Sequence, residues 1–225
     1  MVLKGQILVE ISAPIRSTQP ANHKEEKRAD GSSSLELRAN LGGRVAFGVG
    51  EDCFRILFGI RYGPMIPTHR RLEYASGYIG LGMHRDAEDE LRLIAENENK
   101  YPEALRLWVA LYHETKEWLA LINVAETLVG AEPDEEHGWI SWAYALRELN
   151  RVKDAQEVLL QAEVLHGKSC AVLHYNLACY ACLLEDPIEA KRRLATAFEM
   201  DADFKNSAKE DPDLEALRGE LEGMD

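Results

Sequence analysis

The residues best equipped for chemistry stand close together in the last third of the chain: Cys170, His174, Cys179 and Cys182. Thiolates and imidazole together form a zinc ligand set, and Cys179 and Cys182 are three apart, about one turn of a helix. A helix running from Ala171 to Leu184 would separate them, however. Cys170 and His174 lie about a turn apart along it, with Cys179 more than a further turn away, so four ligands cannot meet one ion without distortion. Buried cysteine also packs as a small hydrophobe between helices. Cys170 and His174 could pair at i,i+4 as nucleophile and base, but nothing in the sequence orients the imidazole or supplies an oxyanion donor. The chain contains no GxxxxGK[ST], HExxH or GxSxG pattern. The expectation is a protein with no catalytic residue, no cofactor and no metal, with a zinc or redox-thiol site in this stretch kept as an alternative.

Charge narrows the partners. The formal net charge of −13 disfavours nucleic acid and anionic membrane, both of which need a basic footprint. It is unevenly spread: residues 1–64 carry a net +2 and residues 65–225 a net −15. No stretch approaches the roughly 18 apolar residues of a membrane span, and the N-terminus lacks the basic-then-apolar pattern of a signal. A cytoplasmic location is expected, with four reduced thiols, since Cys53, Cys170, Cys179 and Cys182 are too few and too clustered for a disulfide framework.

The elements that carry these residues show themselves as a repeat. Ala87, Leu121, Ala155 and Ala190 recur at spacings of 34, 34 and 35 residues. Counting back starts the units at Thr68, Pro102, Glu136 and Ala171, giving repeats 68–101, 102–135, 136–170 and 171–204. Within each unit the fourth position reads Arg71, Leu105, Trp139 and His174, and the seventh Tyr74, Trp108, Trp142 and Leu177. The eighth, where paired helices come closest, reads Ala75, Val109, Ala143 and Ala178. The twenty-fourth reads Leu91, Ala125, Leu159 and Leu194, and the twenty-seventh Ile94, Leu128, Ala162 and Ala197. Positions 20, 24 and 27 stripe one helical face. Gly82 and Asn150 stand where a first helix must end in a left-handed conformation, and Asp186-Pro187 with Glu189 reads as an N-cap, a first-turn proline and an early acid.

Period and columns together resemble the tetratricopeptide-repeat (TPR) family, above all from Tyr175-Asn176-Leu177-Ala178 through Ala190, Leu194 and Ala197. The resemblance covers about residues 68–204 and is weakest in repeat two, where Leu121 replaces the usual alanine and predicts a local splaying. It implies an all-α fold, an α-solenoid of about four helix-turn-helix units. After them, Asn206 to Leu221 predicts a capping helix, with Leu214 and Leu217 covering the last apolar face. The domain division expected is 1–64, 65–204 and 205–225.

In proteins of this resemblance, positions 2, 5, 9 and 12 of each unit line a concave groove. Those positions carry Glu103, Arg106, Ala110 and His113, then His137, Ile140, Tyr144 and Arg147, then Val172, Tyr175, Cys179 and Cys182. Aromatic and aliphatic surface with two arginines suits a peptide bearing carboxylates. The partner-binding set expected is Arg106, His113, His137, Ile140, Tyr144, Arg147, Tyr175 and Cys179, centred on Tyr144, Arg147 and Tyr175, and the partner another protein or peptide. Leu72 and Ser76 stand where the chaperone-tail clamp of one TPR subclass needs lysine and asparagine, so that ligand is not implied. The alternative role for the same scaffold is to shield an unfolded or secreted client.

Residues 1–64 do not fit the repeat. Gln6 to Ile11 and Val45 to Gly50 are β-compatible runs separated by a polar stretch, and the expectation is an irregular or disordered segment with short strands or turns. A second reading takes Met65 as the initiator, with 1–64 as translated upstream sequence.

Overall fold

The computed structural model describes residues 66–94 and 101–221; the expectations for residues 1–64 and for Met65 lie outside them. Four helix pairs follow one another: α1 (Thr68–Gly80) with α2 (His84–Arg92), α3 (Pro102–Thr115) with α4 (Trp118–Ala131), α5 (Glu136–Glu148) with α6 (Val152–His166), and α7 (Ala171–Leu183) with α8 (Pro187–Met200). The four first helices begin at the residues that the repeat count gave. Each helix packs on the next in chain order, and the first helices of neighbouring pairs also touch, α1 on α3, α3 on α5 and α5 on α7. This is the α-solenoid, and among the described residues there is no strand.

The columns explain the packing. The small residues Ala75, Val109, Ala143 and Ala178 are 0% exposed, and all twelve residues of columns 20, 24 and 27 lie between 0% and 4%. Small side chains on both helices of a pair let the axes approach, and the leucines beside them fill the gap. Repeat two is not splayed. Leu121 occupies the column where the other units have alanine, but Ala125 stands four residues on where they have leucine, and both are 0% exposed. The large and small residues have exchanged places on one face with the volume kept. Tyr74 is the exception among the aromatic columns, 46% exposed in the first unit.

All four intra-pair turns are built alike. Gly82, Lys116, Asn150 and Glu185 have φ of 71°, 60°, 60° and 63°, and each is the fifteenth residue of its unit. In each turn the amide of the next residue reaches back to the carbonyl five residues before it: Met83 to Tyr78, Glu117 to Tyr112, Arg151 to Leu146 and Asp186 to Ala181. That 6→1 bond is the Schellman closure, which caps the orphan carbonyls at the helix end. Lys116 and Glu185 hold this conformation without being glycine or asparagine.

After α8 the cap is present but is not one continuous helix. It consists of α9 (Phe204–Glu210), a 3-10 helix (Pro212–Leu217) and α10 (Arg218–Leu221). Pro212 lacks the amide a continuing α-helix needs and pushes Asp211 into extended backbone, with ψ of 120°. Phe204, Ala208, Leu214, Leu217 and Leu221 all join the core of the last two repeats, as expected for Leu214 and Leu217.

Candidate functional site

The cap does more than cover the end of the solenoid. Its 3-10 helix packs on α7, and two carboxylates at its start engage residues expected to face a partner. Arg147, in the last turn of α5, meets Asp213 with both prongs of its guanidinium; Nε donates to Oδ2 at 2.8 Å and Nη2 donates to Oδ1. Its Nη1 donates to Glu148 at 2.9 Å. Burial alone would lower the Arg147 pKa, but the carboxylates of Asp213 and Glu148 outweigh it and leave it raised. Tyr175 on α7 donates its hydroxyl to Asp211 Oδ2 at 2.9 Å, and its ring stacks on Phe204 with centroids 4.8 Å apart. Cys179, one turn further along, sits 3.9 Å from the same Oδ2. Asp211 also caps the 3-10 helix, accepting from the Asp213 amide at 3.0 Å.

Toward the N-terminal side, Tyr144 on α5 is buried against His113 of α3 and Trp118 of α4, with ring centroids 5.1 and 5.8 Å away. Ile140 is buried in the core. Arg106 on α3 reaches Glu132, beyond the end of α4, at 3.1 Å. His137, in the first turn of α5, is half-buried. Desolvation, together with the positive charges of Arg106 and His113, pulls its pKa down to about 4. His137 Nε2 and Arg106 Nη1 are enclosed and make no hydrogen bond.

The structure therefore sorts the expected residues into two groups. Arg147, Tyr175 and Cys179 converge on the chain's own Asp211 and Asp213, and His113, Tyr144, Arg106 and His137 gather between α3 and α5. Tyr144 and Tyr175 are 3% and 1% exposed, so neither is a free groove surface. Asp211 and Asp213 were absent from the expected site, because acids at the start of a short helix read as N-terminal caps. The available signal was Asp-Pro-Asp itself, two carboxylates on a broken helix following a chain segment that offers Arg147 and Tyr175.

The four-ligand zinc set is not brought together. His174 Nε2 lies 2.7 Å from the Gly167 carbonyl, which can only accept, so the ring hydrogen is there and Nδ1 accepts from Arg193 Nη1 at 3.2 Å. Both ring nitrogens are thus engaged, in a network that also pairs Arg193 with Glu163 and Glu189. Among the described residues, the ligand atoms that lie within 4.8 Å of one another belong to Cys179, Asp211 and Asp213. There the Arg147 guanidinium already supplies the positive charge. Burial, reinforced by the two aspartates, pushes the Cys179 thiol well up. Burial also pushes Cys170 up to about 12 and raises Cys182. Protonated, enclosed thiols are poor metal ligands and poor nucleophiles.

Helix pairs of 34- and 35-residue period, closed by one kind of turn and stacked through their first helices, define a TPR-like helical-repeat solenoid. No family model matches the chain, and no curated protein matches it in sequence. Among solved structures it is similar to a chain titled "MamA MSR-1 C2", a TPR-containing protein, with a TM-score of 0.54 and 16% identity over 66% of this chain and 86% of that one. At that identity the likeness is one of fold. No helix among the described residues is long and apolar enough to cross a membrane.

Proposed function

We propose that this chain is a non-enzymatic protein-interaction scaffold that holds a peptide or helix of a partner protein along the first helices of its solenoid, with residues 65–204 as the binding unit and 205–225 as its cap. Of the expected residues, Arg106, His137 and Arg147 stay partly accessible and form the contact surface; His113, Ile140 and Tyr144 are buried and support it from beneath, and Tyr175 and Cys179 lie under the docked Asp211. The observation that carries this reading is the docking of Asp211 and Asp213 on Tyr175 and Arg147. It supports the idea that these positions hold a folded-back acidic segment by a two-pronged ion pair and a tyrosine hydroxyl, the chemistry by which linear motifs are gripped.

The test is quantitative capture of partner proteins by the unaltered full chain and by an Arg106→Ala/Arg147→Ala variant, with thermal melting of both. Tyr175→Ala is unsuitable, since removing a stacked, buried ring costs about 3–5 kcal/mol through packing alone. Captured partners that the double variant loses while still folded support the reading. Equal capture by both chains refutes the surface.

A further inference from the structure

We propose that the surface over α5 and α7 reads the pattern Asp-Pro-Asp-Leu-x-x-Leu, that the chain's own residues 211–217 are its resident ligand, and that an acidic segment of this pattern in a partner protein binds by taking the tail's place. This rests on the scaffold reading above and adds the partner's chemistry.

The tail is held as a linear motif is held. Asp211 meets Tyr175 and Cys179, Asp213 takes the fork of Arg147, and Leu214 and Leu217, at 0% and 2% exposure, insert beside them. Polar groups fix the register while leucines supply the apolar burial. The elements that present this pattern are seven, six and four residues long. None is long enough to persist as a helix once undocked. A 3-10 helix has poorer hydrogen-bond geometry than an α-helix, and short elements with few neighbours are where local opening concentrates. A solenoid tolerates such opening because each repeat is held by its neighbours rather than by the whole chain. Opening would bare Leu214 and Leu217 and leave the Tyr175 hydroxyl without its Asp211 acceptor, so the displaced state needs a replacement with the same spacing of acids and leucines. That requirement makes the site selective.

The probe is a fluorescein-labelled synthetic peptide of residues 210–221, titrated by anisotropy into the full chain and into the full-length Asp211→Asn/Asp213→Asn variant. The expected result is saturable binding to the variant and binding at least about tenfold weaker to the unaltered chain, whose tethered tail competes at an effective concentration near millimolar. A peptide with both aspartates changed to asparagine is expected not to bind. No binding to a variant that keeps its helical circular dichroism overturns the proposal, as does equal binding to both chains. A variant that becomes a dimer overturns it in favour of a second copy as the occupant. If the variant does not fold, hydrogen exchange on the unaltered chain decides. Amides of 213–221 exchanging faster than those of α7 and α8 support a separable tail, and exchange only together with those helices overturns it. Capture lost in the Arg106/Arg147 variant alongside a negative peptide result would sink this inference and leave the scaffold reading standing.

Discussion

Arg147 and Asp213, 66 residues apart in the chain, are joined by a two-pronged ion pair that ties the third repeat to the C-terminal cap across the fourth. Their side chains are 24% and 10% exposed, so the pair is only partly in water and its geometry is the favourable bidentate one. Arg147→Ala is expected to destabilise the chain by about 1–3 kcal/mol, less than for a fully buried pair because water still reaches the guanidinium. Asp213→Asn is expected to cost less. In a double-mutant cycle read by urea midpoints, the coupling between the two positions is expected at about 1 kcal/mol or more. A coupling near zero would make the contact ornamental and remove the main support for a gripped tail.

The left-handed turn column gives a prediction independent of the site. Lys116 and Glu185 adopt φ of 60° and 63° where Gly82 stands in the first unit. A side chain bearing Cβ is strained there by about 1–2 kcal/mol, partly offset by glycine's larger loss of backbone entropy on folding. Lys116→Gly and Glu185→Gly are each expected to stabilise the chain by about 0.5–1 kcal/mol, and Asn150→Gly by less, because asparagine already tolerates this region. Chemical denaturation of the three variants checks the order.

How legible the molecule is in its sequence depends on how local the determining rule is. The start of every first helix and the burial of columns 8, 20, 24 and 27 follow from period and residue size, so Thr68, Pro102, Glu136 and Ala171 could be read off directly. Lys116 and Glu185 could not be singled out as turn residues by type; only their place in the column, beside Gly82 and Asn150, marks them. The site was half legible. Arg147 is recognisable as a carboxylate-binding position and Tyr175 as an aromatic of the expected groove, but that Asp213 and Asp211 meet them is a contact across 66 and 36 residues, which no local pattern encodes. The splaying expected of repeat two is absent for a related reason: Leu121 taken by itself is too large for its column, and its compensation by Ala125 is a property of the pair.

That compensation is testable. Leu121→Ala alone opens a cavity between α3 and α4 and is expected to cost about 2–5 kcal/mol. Adding Ala125→Leu restores the arrangement of the other three repeats. The double variant is expected to return to within about 1.5 kcal/mol of the unaltered chain, since the swap conserves volume. Ala125→Leu alone overpacks the same face and is expected to destabilise by about 1–3 kcal/mol. Double-variant losses equal to the sum of the single ones would show that the two positions do not share one space.

Acid sensitivity is expected to centre on His137. Its folded-state pKa is lowered to about 4 from an ordinary value of 6.5, by desolvation first and then by Arg106 and His113. The unfolded chain therefore binds this proton more readily than the folded one between those limits, and stability falls as pH drops through that window. The contribution is fully present above about pH 6.5 and is lost progressively down to about pH 4. The fall from 6.5 to about 4 corresponds to roughly 3 kcal/mol, an upper figure for a half-buried ring. His137→Gln, which cannot take up a proton, is expected to flatten the profile of denaturation midpoint against pH between 4 and 6.5 while altering the midpoint at pH 8 much less. The helices α3 and α5 are the ones that should loosen first, because Arg106 and His113 repel the protonated ring from α3. An unchanged slope in the variant would assign the acid sensitivity to other groups.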